Sequence, residues 1–198
     1  MPDVPSVPST PHLISRAQLQ EAFRLLAKRL ADRGVVGDVY VFGGAAIVLA
    51  YNGRAATRDV DAIFEPREIV HEAALDVAEA LSLPRWWLND QTASYLSRLR
   101  DSDAATIVDF PNLRVTAISE EHLLAMKALA ARRYADMDDI ALLATRLGIS
   151  TPDAIEELCA RVYPDEPLTG RAKLVVSDVI ARLERERGHG HEGPDLSR

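Results

Sequence analysis

Hydrophobic and polar positions alternate in two different periods along this chain, and the change between them divides it. From Ser15 to about Asp32, Leu19, Phe23, Leu26 and Leu30 recur at helical spacing, after an S-x-x-Q capping box at Ser15 and Gln18. Val39 to Phe42 then reads as a strand, Gly44 to Tyr51 as a short apolar helix and Asn52-Gly53 as a turn. Arg58 to Phe64 alternates with period two, so Asp59, Asp61 and Ile63 face one way and Val60, Ala62 and Phe64 the other. Pro66 suits the first turn of a helix running to about Leu81. Leu83 to Asp103 fits no period. Thr106 to Phe110 and Leu113 to Ala117 are two further strands joined at Pro111-Asn112.

Beyond Ile118 only helical spacing remains. Ser119 caps a helix expected over Glu120 to Tyr134, with Glu120 and Glu121 in its first turn, where the helix dipole favours acids. A following helix reaches Leu147 and stops at Gly148; Thr151-Pro152 opens another, and Arg171 to Arg187 forms the last. The expected fold class is α/β, a small mixed-sheet core followed by an α-helical C-terminal half. The boundaries fall at residues 13–117 for the core and 118–187 for the helical half. Disordered ends are expected at 1–12, where four prolines fall in the first eleven residues, and at 188–198, which is rich in glycine and polar residues.

Composition narrows the function without naming it. A net charge of −7 over 198 residues argues against a protein that coats nucleic acid, though not against a local basic groove. Cys159 is the sole cysteine, which excludes an internal disulfide and a thiolate zinc site; its place on an apolar helix face suits the core. No apolar run is long enough for a membrane span and no leader pattern is visible, so a cytoplasmic protein is expected.

The chemistry concentrates in Val41 to Pro66, VFGGAAIVLAYNGRAATRDVDAIFEP. Asp59 and Asp61, roughly 7 Å apart at Cα on one strand face, can converge on a divalent metal. Gly43 and Gly44 present backbone N–H groups where the next helix begins, a place suited to phosphate. Phosphate beside paired acids is the layout of metal-assisted phosphoryl or nucleotidyl transfer. Each feature also has a plainer reading. The acids also read as a solvated strand face and the glycines as a tight turn. Lys127 among Leu123, Leu124, Ala130 and Ala131 also reads as a lysine reaching past apolar neighbours to water. Arg132, Asp136 and Asp139 have the spacing of a surface charge network. Trp86 and Trp87, next to Arg85, read either as core or as a base-stacking platform.

Phe42-Gly43-Gly44, fourteen residues, then Asp59-Val60-Asp61 resembles the core motif of the polymerase-β-type nucleotidyltransferase superfamily. LLAMKALAARRYADMDDIALLATRLGI, Leu123 to Ile149, resembles the M-K, A-x-R and D-x-x-D signature of the minimal AbiEii-like and MenT-like toxins of toxin–antitoxin systems. The resemblance spans about residues 20 to 185. It implies an enzyme moving a nucleoside monophosphate from an NTP to a macromolecule, with the 3′ end of tRNA as acceptor and a cognate antitoxin protein as partner. Asp59 and Asp61 would bind Mg²⁺, or Mn²⁺ in its place. Gly43 and Gly44 would hold the phosphates, Thr57 would bond the nucleotide, Lys127 would neutralise phosphate charge, and Asp136 would complete the acidic site or position the nucleophile. A third metal-site carboxylate from a neighbouring strand belongs to the pattern, and Asp109 is the candidate. Arg98, Arg100, Arg132 and Arg133 are the candidate RNA contacts. Protein nucleotidylation and a non-catalytic nucleotide- or partner-binding module of the same fold are the alternatives.

Overall fold

The computed structural model describes residues 12–131 and 136–189. Of the expected disordered ends at 1–12 and 188–198, residues 1–11 and 190–198 lie outside them, as do the candidate RNA contacts Arg132 and Arg133. The α/β expectation holds. A five-stranded mixed sheet runs in the order β5 (Leu88–Asn89), β4 (Val60–Glu65), β2 (Gly37–Phe42), β7 (Leu113–Ala117), β6 (Ala105–Phe110). β2 is antiparallel to β4 and parallel to β7, β4 is parallel to β5, and β6 and β7 form an antiparallel hairpin. A two-stranded ribbon, β1 (Ile14–Ser15) with β3 (Ala56–Thr57), stands apart from it.

Strand alternation decides which face of the sheet is covered. Val39, Val41, Val60, Ala62, Phe64, Leu113 and Val115 are buried. They lie on the side of α1 (Arg16–Asp32) and α3 (Arg67–Leu81), which bury Phe23, Leu26 and Leu30 and Val70, Ala74 and Val77 respectively. The capping box of α1 is formed in full by Ser15 and Gln18. At Gly37 a Cβ would lie 2.8 Å from the Leu30 side chain and 3.3 Å from Val70, so glycine lets both helices sit close on the sheet.

The segment without a periodic pattern, Leu83 to Asp103, covers part of the other face. It contributes β5 and a single 3₁₀ turn at Ala93–Tyr95, and is otherwise held by tertiary bonds. The Asp101 carboxylate accepts from the Tyr40 hydroxyl (2.7 Å) and from the Ser119 N–H (2.8 Å). Burial pulls the Asp101 carboxyl upward, but these donors and His122 outweigh it and hold it below its usual range. Ser97 donates to the carbonyl of Val162, and the Tyr163 hydroxyl to the carbonyl of Tyr95. This strap therefore joins the sheet to the helical half.

That half consists of α4 (Glu120–Ala130), α5 (Met137–Arg146), α6 (Pro152–Val162) and α7 (Gly170–His189). Ser119 and Thr151 cap α4 and α6 through their side chains, as their positions predict. α4 ends at Ala130, short of the predicted Tyr134, because Ala131 leaves helical geometry (φ −40°, ψ 101°). α7 continues through Gly188 to His189, past the expected start of the tail. One cluster of buried side chains, from Ile14 to Ile180, runs through both halves.

The two tryptophans divide. Trp87 is fully buried, edge-on to Phe23 with ring centroids 5.8 Å apart, and its indole N–H donates to the Ala74 carbonyl (2.9 Å). Trp86 is 48% exposed. Trp87→Ala is expected to cost about 3–5 kcal/mol of unfolding free energy in denaturant titration, the range for removing a large buried aromatic. Trp86→Ala should cost a small fraction of that.

Candidate active site

The acid pair sits where β4 begins. Asp59 directly precedes the strand, and Asp61, its second residue, stands opposite Phe42, the last of β2. Both carboxylates are partly buried and each has a neutral donor: Thr92 Oγ1 donates to Asp61 Oδ1 (2.7 Å), and Asn89 Nδ2 to Asp59 Oδ2 (3.2 Å). Burial first, and the charge of Asp61 second, push the Asp59 carboxyl above its usual range; the Asn89 bond and Arg58 only partly offset them.

Gly43, the first residue of α2 (Gly43–Leu49), follows Phe42 at φ +65°, a left-handed conformation that favours glycine. A Cβ there would lie 3.0 Å from Asp61 Oδ2, so the turn presses directly against the carboxylate. At Gly44 a Cβ would lie 3.0 Å from Thr57 Oγ1 and 4.0 Å from the Arg54 guanidinium. Thr57 is buried behind the glycines, and its hydroxyl donates to the Asp59 carbonyl (3.1 Å). It shapes the approach to the acid pair rather than lining the cavity in front of it.

α4 starts immediately after β7, beside the end of β2, where the Ile118 N–H donates to the Val41 carbonyl. That junction aims α4 across the mouth of the acid site and brings Lys127 to it. Lys127 is not carried out to water: its side chain is 13% exposed, and Nζ lies 2.8 Å from Asp136 Oδ1 and 3.0 Å from Asp139 Oδ2. Asp139, 2% exposed, also accepts two bonds from Arg54, from Nε (2.8 Å) and Nη2 (2.5 Å). The expected surface charge network is thus, at Asp139, a buried one. Arg54 arrives through the Asn52-Gly53 turn, packed so tightly on α5 that a Cβ on Gly53 would lie 2.2 Å from Leu142 Cδ2. Neither periodicity nor a short motif marks the Arg54–Asp139 pairing in the sequence.

Gly43, Gly44, Asp61, Thr92, Lys127 and Asp136 line one cavity of about 440 Å³. The site residues predicted around the glycine turn, the acid strand and the helical signature therefore come together, with Asp59 and Thr57 immediately behind. Asp109 does not join them. It pairs across β6 and β7 with Arg114, which aligns through Asp38 with Glu65 at the opposite end of β4. That places it four residues, about 13 Å, along the strands from Asp61 and three strands away. The strand that does flank the acid pair offers Asn89, in register with Asp61, an amide where the pattern expects a carboxylate. Arg98 and Arg100 are exposed on the strap; Arg98 lines a separate hollow near Tyr163 and Glu166.

Among the described residues no group of three or more His, Cys, Asp or Glu gathers to hold a metal. Two carboxylates at the start of β4, one destabilised as an anion by burial and by the other, still suit Mg²⁺, which is commonly bound through one or two carboxylates with substrate phosphates and water completing its shell. Asp59 and Asp61 are the residues that would hold it.

The glycine turn thus lies against Asp61, and Lys127 lines the same cavity. The chain belongs to the family described as nucleotidyltransferase of unknown function (DUF6036), whose model matches residues 17–155. No curated protein and no solved structure matches it. No helix among the described residues is long and apolar enough to cross a membrane.

The raised Asp59 carboxyl gives a test of the site's electrostatics. Raising the folded-state pKa means that Asp59 favours the folded protein while protonated, and that this contribution is lost as pH rises through the folded pKa. In chelator, Asp59→Asn should therefore melt higher than wild type at pH 7, and the gain should vanish at pH 3, where both proteins are neutral at this position. Thermal melts across that range check it; an equal offset at every pH would contradict it.

Proposed function

We propose that this protein transfers a nucleoside monophosphate from an NTP to a macromolecular acceptor, the 3′ end of tRNA. In this reading it acts as the growth-inhibiting toxin of a toxin–antitoxin pair, restrained by a cognate antitoxin. The observation that carries the transfer reading is the convergence of Gly43, Asp61 and Lys127, from three separate segments, on one cavity. The acceptor and the toxin role rest on the likeness of Leu123–Ile149 to the toxin-type enzymes.

The residues divide the work by chemistry. The backbone N–H groups of the Gly43-Gly44 turn bind the triphosphate, which no side chain there obstructs. Lys127 has three donors; two meet Asp136 and Asp139, and the third is directed to phosphate. Asp59 and Asp61 would hold Mg²⁺ or Mn²⁺, which when bound would supply charge to stabilise the transferring phosphoryl group. Thr92 and Asn89 orient the two carboxylates through hydrogen bonds. Arg54 and Lys127 face Asp136 and Asp139, and a metal held by Asp59 and Asp61 would add the positive charge that an anionic substrate meets.

The net charge of −7 favours a second reading, protein nucleotidylation, since an acidic chain attracts RNA poorly. Incubation with Mg²⁺ and each NTP labelled at the α-phosphate, with total RNA or with cell lysate, separates the two. Label in a tRNA-sized band is expected, abolished in Asp61→Ala, whose circular dichroism should match wild type. Lys127→Gln should lower kcat by about 10²-fold, the scale of losing one group aimed at transition-state charge. Label in protein bands would transfer the assignment to protein nucleotidylation, and full activity in Asp61→Ala would remove the acid pair from the reaction.

A further inference from the structure

The cavity bordered by Gly43, Gly44, Asp61, Lys127 and Asp136 is also lined by Tyr95, Met126 and Ala130, which carry no charge to offer phosphate. They come from two elements. Met126 and Ala130 lie four residues apart on α4 and so share a face of that helix. Tyr95 comes from the strap. There Thr92 directly precedes the 3₁₀ turn Ala93–Tyr95, and the Tyr95 N–H donates to the Thr92 carbonyl (3.0 Å). Side chains three residues apart in such a turn are eclipsed, so the Tyr95 ring projects on the same side as Thr92. Thr92 is the residue whose hydroxyl donates to Asp61 Oδ1. The turn therefore sets an aromatic ring beside the donor to the acid pair, about 6 Å further along by 3₁₀ rise.

The ring is open while its mount is fixed. Tyr95 is 57% exposed. Its carbonyl accepts from the hydroxyl of Tyr163 (2.9 Å), itself buried at the end of α6, and the next N–H, of Leu96, donates to the Ala93 carbonyl (3.2 Å). Two residues on, the Ser97 hydroxyl donates to the Val162 carbonyl. A ring held this way offers a flat apolar face to a partner at little ordering cost.

A nucleoside triphosphate has two unlike ends. The phosphates suit the glycine turn and Lys127. The base is a flat π-system, which gains from an aromatic face and from a polarizable thioether such as that of Met126. The cavity supplies both kinds of lining, and its volume of about 440 Å³ falls within the roughly 300–1,000 Å³ of small-molecule sites.

We propose that Tyr95 is the base platform of the nucleotide site: the base of the incoming NTP stacks on the Tyr95 ring, with Met126 and Ala130 lining the site from α4. This rests on the transfer reading above and assigns the nucleoside end of the substrate, which the groups facing phosphate and metal leave open. Stacking detects a base without reading its identity, so Tyr95 distinguishes a nucleotide from a bare polyphosphate.

Tyr95→Ala removes the ring but keeps the carbonyl that Tyr163 bonds, so the strap stays anchored. In calorimetric titration with a non-hydrolysable NTP and Mg²⁺, Tyr95→Ala should bind about tenfold more weakly than wild type, the scale of one lost base–aromatic stack. Tyr95→Phe and Tyr95→Trp, which restore a flat ring, should bind close to wild type. Inorganic tripolyphosphate with Mg²⁺ has no base and should bind wild type and Tyr95→Ala equally. In the transfer assay Tyr95→Ala should raise KM for NTP about tenfold and leave KM for the RNA acceptor unchanged. Equal NTP affinity in wild type and Tyr95→Ala would overturn the platform and leave the transferase reading standing. So would an equal loss of tripolyphosphate affinity, which marks damage to the site, or a rise in KM for RNA alone, which marks an acceptor contact. NTP binding that depends on Tyr95, without any transfer, would uphold the platform and overturn that reading. Failure of the wild-type protein to bind NTP would overturn both.

Discussion

A carboxylate cannot be taken out of water without partners, and Asp139 is 2% exposed. Its partners come from two directions. Arg54 reaches it from the loop after the glycine turn, and Lys127 reaches it from α4, while Asp139 itself sits in the first turn of α5. Satisfying this one charge fixes how the sheet-bearing part of the chain meets its helices. It also fixes where the Lys127 ammonium points. Gly53 makes the arrangement sterically possible, because a side chain there would collide with Leu142. Lys127 is therefore positioned by a buried ion network rather than by its own helix alone.

A second network works on the same face of the sheet, the one turned away from α1 and α3. Asp101 gathers Tyr40 from β2 and Ser119 at the start of α4, with His122 Nδ1 3.4 Å away. The same strap supplies Asn89 and Thr92 to the acid pair before it reaches Asp101. One irregular segment thus orients both carboxylates and ties down the N-terminus of the helix that carries Lys127. The site is assembled from side-chain bonds converging on a short stretch of strand, and its rigidity comes from their number and burial.

The regular parts of this design were legible in the sequence because local chemistry dictates them. The capping box at Ser15 and Gln18, the caps at Ser119 and Thr151, and the alternation through Val60, Asp61 and Ala62 each carry their own signal, and each element is present. The acid pair, the glycine turn and Lys127 were legible as short patterns whose meaning depends on being brought together, which the fold does. The strap was not legible: β5 is two residues long and held by pairing with β4, so no period could reveal it. Asp109 looked acidic and strand-borne, but only strand order shows that it lies at the wrong end of the sheet. Arg54 and Asp139, 85 residues apart, and Asn89 beside Asp59 are tertiary facts with no local trace.

The central claim is that Asp59 and Asp61 hold a divalent metal facing a triphosphate bound on the Gly43-Gly44 turn. A crystal grown with Mn²⁺ and a non-hydrolysable NTP, measured at a wavelength where manganese scatters anomalously, tests it most directly. The account expects an anomalous peak between the two carboxylates, with the triphosphate against the glycine turn and Lys127. A peak elsewhere, or a triphosphate seated away from the glycine turn, would contradict it.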